Sequence, residues 1–295
     1  MDDATPIDPA STSRLKAYYE LTKPGITGYV MITAGVSAYV ASRGQIGLLD
    51  AVHAMAGTGI STAGALALNQ YVEREYDAVM NRTRERPLPS GRLGATEGLW
   101  AGIVLLAGGL AYLAVVSGWL PSLITAMAAV AYLGVYTPLK TRSSVATLAG
   151  GVPGALPTLI GWSAATGSLD RGAAALFAIA YLWQLPHVLG LAWMLRDDYA
   201  RVGFKLIPEG GSRVIGRHMV AVTALLVPVA LVPTLIGLTG PWYLGGAVAA
   251  SVAFLGVAIR TARDMSDARA RALFLASLLY HPVLLGLMML DTVRA

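Results

Sequence analysis

Apolar residues in this chain run in long blocks, each closed by a short knot of charges or by glycine and proline, instead of recurring every three or four positions. A hydrocarbon layer about 30 Å thick takes roughly 20 helical residues to cross, so each uncharged block is a candidate membrane span. Residues 26–42 form the first, after an amphipathic lead-in at residues 15–22 and a Lys23-Pro24-Gly25 break; residues 48–77 form the second. Residues 98–139 carry no charge and are too long for one crossing, and Ser117-Gly-Trp-Leu-Pro121 divides them. Residues 145–165 and 173–195 follow, then the uncharged block 218–259, divided at Gly240-Pro-Trp242, and finally residues 272–290. The pattern predicts an all-α, polytopic membrane helical bundle of nine transmembrane helices.

Composition supports a membrane protein: 55% of residues are hydrophobic and only 13% charged, against roughly 25% charged in soluble domains. The formal charge of +5 points away from nucleic acid once the basic residues are located, because they sit in short loops between apolar blocks. Of the 22 lysines and arginines, all but Arg43, Arg171 and Arg294 fall on one side, which predicts a cytosolic N-terminus and a location in the cell inner membrane. Residues 1–14, with Asp2, Asp3, Asp8, Pro6 and Pro9, lack the basic start and apolar core of a signal peptide. They are expected to be a disordered cytosolic tail ahead of a single transmembrane domain over residues 15–295. The absence of cysteine excludes disulfides, thiolate metal sites and cysteine nucleophiles.

Charges gather abruptly at Asn69-Gln-Tyr-Val-Glu73-Arg-Glu-Tyr-Asp77. Asn69, Glu73 and Asp77 are four apart and share one helix face. Two carboxylates and an amide oxygen suit a hard cation such as Mg²⁺, which takes one or two carboxylates, waters and the oxygens of a phosphorylated ligand. Such a cluster is otherwise the charged end of a helix entering water. Arg82, Arg84 and Arg86 are either phosphate ligands or topological anchors. Arg74 lies within the motif and is expected to pair with Glu73 or Asp77 unless it too binds substrate. Tyr136, Lys140 and Arg142 form a further candidate group at the end of the fourth span, where a lysine is otherwise a snorkelling anchor.

A second cluster, Arg196-Asp-Asp-Tyr199, closes the sixth span on the same predicted side. Asp197 and Asp198 point to different helix faces, so either one of them completes a metal site, with the Tyr199 hydroxyl near the phosphates, or the pair is a solvated helix end. Each acidic cluster is followed by a basic loop and a long uncharged block, a hint of a four-span repeat. His187 follows Pro186 about two turns inward and is either a haem ligand, a proton acceptor or a histidine satisfied within the bundle. Mid-span polar groups are few: His53, Gln184, His187 and His281. A transporter would carry ionisable groups at the midplane, so chemistry at one membrane face fits better.

Taken together, the Asn69, Glu73 and Asp77 motif, Arg82-Thr-Arg-Glu-Arg-Pro-Leu-Pro, Tyr136-x3-Lys140, Gly161-Trp162 and the segment from Pro186-His187 to Asp198-Tyr199 resemble one family over residues 21–291. It is the UbiA-type intramembrane prenyltransferase superfamily, and within it the protohaem IX farnesyltransferase (haem O synthase) branch. The resemblance implies nine helices around a central cavity, a cytosolic diphosphate site on Mg²⁺, farnesyl diphosphate and haem B as substrates, and haem A synthase or a terminal-oxidase assembly as partners. Two positions depart from the wider pattern. Glu73 stands where aspartate is common, and Leu195 and Tyr199 stand where quinone-pathway relatives carry carboxylates. A quinone-pathway prenyltransferase and a haem carrier without catalysis are the alternative functions.

Overall fold

The computed structural model describes residues 14–294, so the expected tail at residues 1–13 lies outside the described residues. The described part is helical apart from turns and one isolated bridge between Thr239 and Thr292. Helix α1 is Arg14–Leu21, α2 is Pro24–Ala41 and α3 is Leu48–Val79. Next come α4 (Ala95–Val116), α5 (Trp119–Leu139), α6 (Val145–Thr166), α7 (Arg171–Met194) and the short α8 (Arg196–Arg201). The chain closes with α9 (Gly211–Leu235), α10 (Pro241–Arg263) and α11 (Asp267–Leu290).

Eight of these helices are long and apolar enough to cross a bilayer, where nine spans were expected. The ninth expected span is α2, 18 residues long and not among these eight; Thr33 and Ser37 lie on its buried side. Ser37 Oγ donates to the Thr158 carbonyl of α6 at 2.5 Å, so this face is satisfied by protein instead of lipid. Pro153 and Pro157 lie inside α6, and Pro186 lies inside α7; both helices continue through them. Pro186 therefore leaves His187 in regular helical backbone. Inside a membrane, neighbouring helices re-satisfy the backbone groups that a proline leaves open.

Helices α2 to α6 pack in succession, and α6 closes back onto α2. Helices α7, α9, α10 and α11 pack as a second group, filled by the largest apolar cluster, including Ile179, Trp183, Met219, Phe254 and Leu284. The cavities described below lie mainly among helices of the first group. Small residues bring the first group's backbones together: a Cβ on Gly64 would strike the Leu106 amide of α4, and one on Gly161 would strike the Ala34 carbonyl of α2.

Gly161→Val is expected to lower the unfolding temperature in detergent, since overpacking a tight contact costs about 1–3 kcal/mol. Gly256→Ala is the control, because nothing lies within 4 Å of its Cβ position. Equal unfolding temperatures for the two variants would show that the α2–α6 contact is not the tight one described.

Candidate active site

Asn69, Glu73 and Asp77 lie on one buried face of α3 and line a cavity of about 300 Å³ at that helix's C-terminal end. Each buried carboxylate has its own cation. Glu73 Oε1 accepts from Lys140 Nζ at 2.6 Å, and Asp77 Oδ2 accepts from Arg86 Nη1 at 2.6 Å. Lys140 also lies 4.6 Å from the centre of the Tyr136 ring. Burial opposes the Lys140 charge, but Tyr136 and Glu73 outweigh it and hold its pKa above the ordinary lysine value.

The remaining donor atoms fit a hard cation. Asp77 Oδ1 is buried with no hydrogen-bond partner, and Asn69 Oδ1 accepts only a long bond of 3.5 Å from Lys23 Nζ. Among the described residues no three His, Cys, Asp or Glu side chains converge, so the site offers two carboxylates and an amide instead of a closed cage. That is the donor set Mg²⁺ takes when a phosphorylated ligand completes its shell.

The cavity gathers most, but not all, of the residues expected from sequence. Arg82, Arg86, Tyr136, Lys140, Asp198 and Tyr199 line it alongside the α3 triad. Asp198 accepts from the backbone N–H groups of Asn81 (3.4 Å) and Arg82 (3.3 Å), which ties the loop after α3 to α8. Burial pushes the Tyr199 pKa up, so its hydroxyl stays a neutral donor. Asp197 is exposed and outside the cavity, which leaves Asp198 as the inward member of the pair. Arg74 pairs with Glu75 at 3.1 Å instead of Glu73 or Asp77, because adjacent exposure leaves it on the outer side of α3. Arg84 and Arg142 are exposed and do not line the cavity.

His187 is also outside this cavity, though the next residue, Val188, lines it. Its ring stacks between Trp183 (5.6 Å) and Phe274 (4.7 Å), and Nδ1 lies 2.8 Å from Ser277 Oγ. Ser277 Oγ donates its one proton to the Phe274 carbonyl at 2.5 Å. It therefore accepts from His187 Nδ1–H, and Nε2 is left as the unprotonated nitrogen.

Lys23, Tyr132 and Phe204 are among the cavity residues not singled out from sequence. Lys23 was read only as part of a helix break, yet it adopts a left-handed backbone (φ 45°) that turns the chain into α2 beside Asn69. Burial, with the Arg86 and Lys140 charges nearby, pushes its pKa down to about 7. Tyr132 sits in a π-helical turn at Ala131–Tyr136 that widens α5. Phe204, from the loop after α8, also lines the cavity, with its ring centre 5.6 Å from Lys140 Nζ.

A second, mainly apolar cavity of about 160 Å³ lies inward of the first. Ile26, Leu66, Tyr132 and Gly150 line both, so a polar space adjoins an apolar one between α2, α3, α5 and α6. A bundle of membrane helices with a cationic, metal-competent pocket adjoining an apolar channel is the architecture of an intramembrane prenyltransferase. Residues 30–280 match the UbiA prenyltransferase family, and the chain belongs to it.

Relatives narrow this further. The chain is 40% identical over 288 residues to the protoheme IX farnesyltransferase of Solibacter usitatus, covering 94% of this chain and 99% of that one. It is 37% identical to the protoheme IX farnesyltransferase of Aquifex aeolicus, covering 97% and 98%. In fold it matches a structure of digeranylgeranylglyceryl phosphate synthase with a TM-score of 0.79 at 17% identity, over 95% of this chain and 99% of that one. A UbiA homologue from Archaeoglobus fulgidus bound to GPP and Mg²⁺ matches with a TM-score of 0.68 at 16% identity, over 92% and 99%.

Lys140→Ala would leave Glu73 charged, buried and alone, and is expected to cost about 3–5 kcal/mol of stability. The double variant Lys140→Ala/Glu73→Ala should recover most of that loss in chemical unfolding. Equal losses in both proteins would mean that the pair is not coupled.

Proposed function

We propose that this chain transfers a farnesyl group from farnesyl diphosphate to a vinyl group of protohaem IX, with addition of water. The observation that carries the reading is the junction of the two cavities. An allylic diphosphate has an anionic head and an apolar tail, and here a pocket holding Lys23, Arg82, Arg86 and Lys140 adjoins an apolar channel. The names of the relatives above support haem as the acceptor, and the departures at Leu195 and Tyr199 weigh against a quinone-pathway acceptor.

The allylic C–O bond breaks and the electron pair leaves with diphosphate. Lys140 and Arg86 sit where that charge develops and stabilise it without reorganising solvent. Asn69, Glu73 and Asp77 would hold Mg²⁺, which would supply further neutralisation of the diphosphate there. The allylic carbon bonds to the terminal vinyl carbon of haem B, and water adds to the adjacent carbon and loses a proton. This leaves a hydroxyethylfarnesyl substituent and inorganic diphosphate, with no protein nucleophile required.

In this reading His187 lies beside the porphyrin, as an axial ligand or as the base that accepts a proton. Its fixed tautomer supports this, because a neutral Nε2 is the form that ligates iron. The distribution of arginines and lysines supports a cytosolic site in the cytoplasmic membrane, from which haem A synthase or an oxidase assembly would take the product.

Purified protein incubated with haem B, farnesyl diphosphate and Mg²⁺ should yield a farnesylated, hydrated haem by mass spectrometry. Asp77→Ala should lower that turnover by on the order of 10²-fold or more while remaining folded. Unchanged pigment would support a carrier, and prenylated hydroxybenzoate would support the quinone alternative. Ala65→Phe, which narrows the apolar channel, should shift preference from farnesyl towards geranyl diphosphate in competition assays. His187→Ala should shift the Soret band of bound haem; an unaltered band and rate would return the residue to packing.

A further inference from the structure

We propose that Thr137 is a positioning residue: its hydroxyl fixes the Asn69 carboxamide so that oxygen, not nitrogen, faces the cavity. The inference rests on the reading that metal diphosphate binds beside Asn69.

A threonine hydroxyl has one proton to give. Thr137 Oγ1 donates it to the Tyr132 carbonyl at 2.9 Å, and a carbonyl can only accept. Towards Asn69, 3.2 Å away, Oγ1 is therefore an acceptor, and only the carboxamide NH₂ satisfies it. Turning the amide over would set oxygen against oxygen. Asn69 and Thr137 are both buried, so little water is available to relieve that clash. Lys23 Nζ points at Asn69 Oδ1 from the other side, which requires the same orientation.

Sequence and backbone explain why the hydroxyl is there. Pro138 has no N–H, and its ring clashes with the carbonyl four residues earlier in a regular helix. The π-helical turn at Ala131–Tyr136 precedes it and delivers both the N–H and the hydroxyl of Thr137 to the Tyr132 carbonyl. A local widening of α5 is thereby read out, through one hydroxyl, as the orientation of an amide on α3.

The test measures binding of Mn²⁺, in place of Mg²⁺, by electron paramagnetic resonance on the full chain in detergent with inorganic diphosphate present. Thr137→Val, which keeps shape but removes the hydroxyl, should weaken Mn²⁺ binding by about tenfold or more, as loss of an outer-shell partner does. Thr137→Ser should restore it. In an Asn69→Asp background the two side-chain oxygens are equivalent, so there Thr137→Val should cost less than about twofold. Full Mn²⁺ affinity in Thr137→Val, or equal losses in both backgrounds, would overturn the proposal. If Thr137→Val does not fold, Thr137→Ala carries the same cycle with the same two outcomes. No Mn²⁺ binding by the unsubstituted chain would instead overturn the metal-diphosphate reading, and this inference with it.

Discussion

Two carboxylates are buried at the edge of a membrane bundle, and each needs an opposite charge within contact distance. An unpaired buried carboxylate is penalised by far more than a surface ion pair returns. Glu73 and Asp77 meet this constraint through Lys140 and Arg86, which reach them from a different helix end and from the following loop. The ends of α3 and α5 and the loop after α3 are thus drawn together by electrostatics, where apolar packing has little to offer. The same four side chains form a charge-balanced group in the wall of the pocket.

The second group of helices serves the first. Helix α7 packs against α9 and α11 along its length, and its far end leads into α8, where Asp198 holds the backbone of residues 81 and 82. Arg82 and Arg86 are therefore presented by a loop anchored at both sides. This division also explains why the large apolar cluster and the cavity do not coincide. Rigid packing in one group of helices leaves the other free to enclose space without collapsing.

Much of this was legible in the sequence. Uncharged blocks located the helices, and spacing by four put Asn69, Glu73 and Asp77 on one face. The hydroxyls on the inner face of the first predicted span bond to another helix, a partner that a composition count does not show. Ion-pair partners were harder, since Lys140 lies 67 residues from Glu73 and nothing local links them. Among Arg82, Arg84 and Arg86, only the two that are four apart line the cavity, because the loop keeps a helical turn there. Thr137 was invisible as anything but a helix residue, since its role depends on a change of helical winding that composition does not announce.

The shared wall between the two cavities has a further consequence. Ile26, Leu66, Tyr132 and Gly150 border both the charged space and the apolar one, so a ligand spanning the junction is gripped at a fixed point along its own length. The charged end sets the zero of a molecular ruler, and the depth of the apolar channel sets its last mark. Any side chain added at the junction moves both readings at once: the reacting carbon slides relative to the cations as the tail is displaced. In such an arrangement chain length and chemical alignment are one variable, and they can be changed separately only deeper in the channel.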